Sequence, residues 1–195
     1  MTEIIAADFY NREVVTVARD LLGMRLVRRW QGQRLSGVII ETEAYRGEDD
    51  LACHAHRGQT KRNAVMYGPP GHAYIYFTYG MHWCLNCVTG PAGYPAAVLI
   101  RALLPAEGLE QIAAHRAGVK PALWCAGPAR LTRALAIDGA LNGRDLTDPA
   151  GDLWIESAAL PATAEIVTGP RVGINYAPEP WRSMEWNFKI IPEKL

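Results

Sequence analysis

Apolar residues first recur at helical spacing between residues 14 and 22, where Val14, Val17, Ala18, Leu21 and Leu22 fall on one face. Asn11 suits an N-cap ahead of them, and Gly23 suits a stop behind them. The period then shortens to two. Residues 24–30 (MRLVRRW) and 34–45 (RLSGVIIETEAY) read as strands joined through Gln31-Gly32-Gln33. Residues 71–87 (GHAYIYFTYGMHWCLNC) read as a hairpin with Tyr79 and Gly80 at its tip. The run AAVLIRALLP, 96–105, reads as a buried strand stopped by Pro105.

Leu109, Ile112 and Ala113 mark a helix within 106–118, and Gly127-Pro128 opens another that turns Leu131, Ala134 and Leu135 inward. Residues 152–157, 164–174 and 186–192 read as short strands separated by Pro and Gly. Between the early strands and the hairpin, residues 46–70 are too polar for core; irregular loops this long are usually functional. Strands linked mostly by turns, with helices at one end and in the middle, predict an α+β fold. The expected architecture is a single domain over residues 1–195: a curved, mostly antiparallel sheet, surrounding helices and a protruding aromatic β-hairpin.

Composition narrows this picture. At 195 residues, 49% of them hydrophobic, the chain can bury one sizeable core, which excludes a disordered protein. No apolar run approaches the roughly 20 residues of a membrane span. The opening residues carry acids and lack the basic-then-apolar layout of a signal peptide, so a cytoplasmic protein is expected, nucleoid-associated if bacterial. Cys84 and Cys87 form a CxxC, but it lies in a strand-like run with no second ligand pair. No metal and no cofactor are therefore expected.

Formal net charge is zero, from 20 basic and 20 acidic residues. The basic residues are grouped, with Arg57, Lys61 and Arg62 in the long loop and Arg130 and Arg133 further on. A neutral protein can still present one basic face.

The candidate chemistry lies on two strands. Glu41, Glu43 and Tyr45 share one strand face, so one acid is expected to line a cleft. In the hairpin, Tyr74, Tyr76 and Thr78 lie opposite Ala73, Ile75 and Phe77. The second set is expected in the core. The first exposes flat rings with hydroxyl handles, suited to stacking on planar ligands such as bases.

These blocks resemble a known family. ETEAY, RGEDDLACH, RGQTKRN, PPGHAYIYFTYGMHWCLN, VLIRAL and GPARLTRALAI follow one another as in the alkyladenine (3-methyladenine) DNA glycosylases, from about Ala18 to Gly173. The resemblance implies that Glu43 activates water and that Arg101 is the active-site arginine beside it. It implies a base pocket of Tyr45, His54, Tyr76 and Asn86, with Tyr79 as a wedge inserted into DNA. The implied partner is double-stranded DNA carrying a damaged purine, whose N-glycosidic bond is hydrolysed to leave an abasic site.

No lysine lies in ETEAY or in the hairpin, so hydrolysis without strand cleavage is expected. Arg57, Lys61, Arg62 and Arg130 are the candidate phosphate contacts, and a monomer is the expected state. Two rival readings are weaker. An oligosaccharide glycosidase needs carboxylates flanking the sugar, which Glu41 and Glu43 on one strand cannot provide. A catalytically silent reader of damage has no use for Glu43.

Overall fold

The computed structural model describes residues 3–158 and 164–191. Its main feature is one curled antiparallel sheet. Strands β1 (Arg25–Trp30), β2 (Gln33–Arg46), β3 (Ala73–Thr78), β4 (His82–Thr89), β5 (Ala96–Glu107) and β6 (Leu153–Glu156) lie in the order β3-β4-β5-β2-β1-β6. Strands β7 (Ile166–Gly169) and β8 (Asn187–Ile190) pair with each other, and β8 also pairs with β2. Among the described residues four short α-helices accompany the sheet: α1 (Ala7–Tyr10), α2 (Val14–Asp20), α3 (Leu109–His115) and α4 (Pro128–Ala134). The fold is α+β. Among the described residues no helix is long and apolar enough to cross a membrane.

The apolar stripe of α2 is buried as its spacing predicts, with Val17, Ala18 and Leu21 fully enclosed. Its cap differs from expectation. Glu13 accepts the Thr16 N–H at 2.9 Å, whereas Asn11 closes the preceding helix α1. Both short reversals use paired positive-φ residues: Gln31 and Gly32 join β1 to β2, and Tyr79 and Gly80 follow β3. That backbone matches the twist of antiparallel strands.

β5 runs past Pro105 to Glu107 instead of stopping there. Pro105 still pairs with Gly37 of β2, while β4 pairs with β5 only from Ala96 to Leu99. The missing proline N–H therefore removes no bond to β4. On α3, which begins only at Leu109 because β5 extends to Glu107, Ile112 alone is buried and Leu109 is exposed. Residues 171–174 do not join a strand. Pro192, at the end of the last expected strand, lies outside the described residues.

The long polar loop does contribute to a core. Cys53, Ala55 and Met66 pack with Tyr74, Val88 and Ala97 in a second apolar cluster. Side chains satisfy the loop backbone that this buries. Asn63, 1% exposed, donates to the carbonyls of His54 and Gly58 and accepts from the Thr60 N–H.

β2 organises everything near the site. One of its edges is taken by β5 from Ser36 to Arg46. The opposite edge is taken by β1 up to Val38 and by β8 from Glu41 to Glu43. Where partners change, the register slips on both strands: Ile40 has no partner on β5, and Arg101 has none on β2. These bulges switch faces. Leu35 and Ile39 lie in the main core, and so does Ala44, five residues beyond Ile39. Strict alternation would have turned Glu41 and Glu43 inward with Ile39. The bulge turns them out of the core instead.

Candidate active site

On the face opposite the main core, a cavity of about 370 Å³ opens beside β2, β3, β4 and β5. That is the small end of the range for ligand sites. Tyr45, His54, Tyr76, Asn86, Arg101, Tyr79 and Arg62 all line it, so the structure brings together seven of the residues singled out from sequence. Arg57, Lys61 and Arg130 are exposed and do not line it.

Glu43 sits behind the wall. Its side chain is fully buried and is not among the lining residues. Four donors hold its carboxylate. Tyr45 Oη at 2.9 Å and Arg101 Nη1 at 3.2 Å donate to Oε2. The Val172 N–H at 2.6 Å and Asn187 Nδ2 at 3.1 Å donate to Oε1. A carboxylate offers about four lone-pair sites, so this one is saturated. Glu41 does not repel it, because Arg101 Nε and Asn187 Nδ2 each donate to Glu41 Oε1 at 3.0 Å and bridge the two acids. Desolvation opposes the Arg101 charge, but the two glutamates outweigh it and raise its pKa.

The aromatic walls are fixed by their neighbours. Burial, followed by the adjacent Glu43 charge, pushes the Tyr45 pKa well up, so its hydroxyl stays a donor to the carboxylate. The Arg171 guanidinium lies 4.7 Å from the Tyr45 ring centroid and 5.0 Å from that of Trp186. Arg62 lies 5.3 Å from the Tyr76 centroid and donates to the Phe77 carbonyl. His54 meets Tyr76 edge to face at 4.5 Å and sits 3.1 Å by Nδ1 from Tyr74 Oη.

His54 is open towards the cavity while protein crowds the rest of its ring. That desolvation, reinforced by Arg62 and His56, lowers its pKa to about 4. Asn86 donates Nδ2 to the Tyr74 carbonyl, which orients its amide and leaves Oδ1 for a ligand.

Two expectations about β3 are corrected. Tyr74 is not an exposed platform: it is 1% exposed, packed into the second apolar cluster beneath the cavity. Phe77 is not core: it is 44% exposed and rests on Trp83 at 4.6 Å between ring centroids. The reason is register. Only Asn86–Thr89 of β4 are backed by β5, so the hairpin runs past β5 beyond Tyr74, and Phe77, near its tip, no longer lies over the sheet. Tyr79 is 85% exposed and has φ of 51°, an unusual conformation for a bulky residue.

Sequence reading missed the parts that hold this site from behind. Asp50 and Arg171 form an ion pair with both side chains fully buried. Arg171 Nη2 donates to Asp50 Oδ1 at 2.9 Å, and Nη1 donates to the Ala44 carbonyl at 2.9 Å. Asp50 also accepts from the Arg46 and Ala52 N–H groups. In sequence, Asp50 reads as one more acid of the polar loop, and Arg171, Val172 and Asn187 read as parts of the short terminal strands.

A buried, arginine-held carboxylate behind an aromatic cavity suits an enzyme acting on a flat heterocycle. Comparison with known proteins agrees: the model of the methylpurine-DNA glycosylase family matches residues 8–194. A protein of Carboxydothermus hydrogenoformans named "Putative 3-methyladenine DNA glycosylase" is 50% identical over 192 residues, covering 98% of this chain and all of its own. One of Methanocella arvoryzae with the same name is 47% identical, covering 98% and 96% of the two chains. One of Anaeromyxobacter dehalogenans, again so named, is 49% identical over 93% of this chain and 81% of its own. The chain belongs to the methylpurine-DNA glycosylase family, which makes it a DNA-repair hydrolase of N-glycosyl bonds with DNA as substrate.

Proposed function

We propose that this protein rotates an alkylated or otherwise damaged purine out of duplex DNA and hydrolyses its N-glycosidic bond, leaving an abasic site without cutting the strand. The observation that supports this most is the carboxylate of Glu43, held by Arg101 and Tyr45 directly behind an aromatic cavity of single-base size. A base cannot react within the stack, and extrusion costs a few kcal/mol, less for a damaged base.

In the cavity, Tyr45 and Tyr76 flank the ring, with Asn86 Oδ1 and His54 at its edges. A purine alkylated at a ring nitrogen is already a good leaving group. The remaining demand is to activate water and to balance the positive charge developing on the sugar. Glu43 supplies both roles once water displaces one of its four donors. Arg101 Nη1, at 3.2 Å the longest of the four, is the contact that yields most readily. Arg57, Lys61, Arg62 and Arg130 meet the phosphates, and one protein monomer serves one duplex.

His54 acts as a neutral ring. With Tyr74 Oη donating to Nδ1, the imidazole keeps its proton on Nε2 and offers it to the base. Because its folded pKa is lowered to about 4, the folded state stays unprotonated where an unfolded histidine gains a proton. His54 therefore favours folding above about pH 6.5, and that contribution is lost as the pH falls from 6.5 towards 4. Its NMR titration should show no protonation above about pH 5, and Arg62→Gln should raise the midpoint. A midpoint near 6.5 in the parent protein would remove the neutral donor from the scheme.

Tyr79 is the wedge that fills the gap left by the base. Truncation to Ser should cost on the order of 1–3 kcal/mol in base extrusion, read by stopped-flow fluorescence of a reporter base. The loss should be smallest opposite a mismatch, which opens more cheaply. Because the side chain is 85% exposed, the melting temperature should not change. Destabilisation with uniform loss on every substrate would make Tyr79 a structural residue instead.

A further inference from the structure

Outside the cavity, the seam between α3 and α4 holds a charge with no partner. Arg116, the residue that closes α3, is only 9% exposed, and its Nε is buried without a hydrogen-bond partner. Among the described residues, no carboxylate pairs with it. Its charged neighbours are Arg133 and Arg130 of α4, whose repulsion adds to desolvation in lowering its pKa.

The side chain is largely covered and its Nε edge is enclosed without an acceptor, where a covered cation is ordinarily matched by an acid. Here two more cations crowd it. Arg130 spends one N–H on the Ala126 carbonyl at 3.1 Å, and Arg133 is exposed. The same helix contributes Pro128 to the rim of the cavity, so the seam borders the surface that a duplex must cover while one of its bases occupies the cavity.

We infer that Arg116 and Arg133, with Arg130, form a binding site for a backbone phosphate of duplex DNA. This rests on the proposed DNA-repair function. The phosphate supplies the counter-ion that the fold omits, and the planar fork of Arg116 can donate to two phosphate oxygens at once. Arg116 is left unpaired in the free protein so that binding DNA, and not folding, satisfies it.

The test is Arg116→Met, which keeps most of the side-chain volume and removes the charge, with Arg133→Met as its exposed counterpart. Affinity for an undamaged duplex is titrated against salt. Each variant should weaken binding and lower the salt slope by about one unit. Arg116→Met should also raise the melting temperature by roughly 2–4 °C, because an uncompensated charge has been replaced by an apolar group. Inorganic phosphate should stabilise the parent more than either variant.

A lowered melting temperature with an unchanged salt slope would make Arg116 a structural residue and overturn the site. Protection by inorganic phosphate with an unchanged slope would show a small-anion site that DNA does not use, which also overturns it. Should Arg116→Met fail to fold, Arg133→Met decides alone through its slope. None of these readouts involves base release. Loss of the phosphate site is therefore distinguishable from loss of the glycosylase reading.

Discussion

Glu43→Gln should abolish base release, lowering the single-turnover rate by roughly 10²–10⁴-fold, while affinity for duplex containing a damaged purine survives. The retained affinity follows from position: Glu43 lies behind the wall, so replacing it leaves the lining of the cavity in place. The substitution is not silent for folding. Both carboxylate oxygens accept two hydrogen bonds, so a glutamine NH₂ group must face two donors wherever it points.

The better orientation puts NH₂ towards Tyr45, because a hydroxyl can turn from donor to acceptor. Arg101 then faces an amide donor and loses half of its acidic surroundings. One unsatisfied buried group costs about 1–3 kcal/mol, so a modest fall in melting temperature should accompany the loss of activity. Rate and melting are measured on the same preparation. Base release at the parent rate would remove Glu43 from the reaction.

The sequence carried most of the cavity and little of what braces it. The pocket residues sit in strands β2 to β5 and one loop, and alternation alone places Glu43 and Tyr45 on one face, and Tyr74 and Tyr76 on another. It could not show which face meets the core. That was decided by the paired bulges at Ile40 and Arg101, where the inward set changes from Ile39 to Ala44. A bulge leaves no compositional trace in a run such as VIIETE, because both registers bury apolar residues.

The same limit explains Tyr74 and Phe77. Their exposure depends on where β5 stops backing β4, a long-range fact that no local pattern encodes. Asp50 escaped notice for a related reason. Glu48, Asp49 and Asp50 look alike in sequence, yet Asp50 alone of the three is buried, because Arg171 arrives from 121 residues further along the chain. A lone arginine between proline and valine in an otherwise apolar stretch was the available signal, and it admits many partners.

Asp50→Asn should destabilise the fold by roughly 3–5 kcal/mol, the usual cost of leaving one member of a buried ion pair uncompensated. Both side chains are fully buried, so water cannot take the place of the lost charge. For a chain of this size that corresponds to a melting temperature lower by on the order of 10 °C.

The shape of the loop should survive in part, since asparagine can still accept the Ala52 N–H or the Arg46 N–H, though not both along with Arg171. The functional consequence follows from what Arg171 touches. It backs the Tyr45 ring, anchors to the Ala44 and Trp181 carbonyls, and precedes Val172, whose N–H binds Glu43. Loosening it loosens one wall of the cavity and one of the four donors on the carboxylate.

Base release should therefore fall even at temperatures where Asp50→Asn remains folded. A double substitution, Asp50→Asn with Arg171→Met, removes both charges and should be less destabilised than the sum of its single variants, because neither charge is then stranded. Thermal melts of the four proteins measure that coupling directly. Additive losses, or an Asp50→Asn variant melting with the parent, would show that the pair does not hold the two segments together.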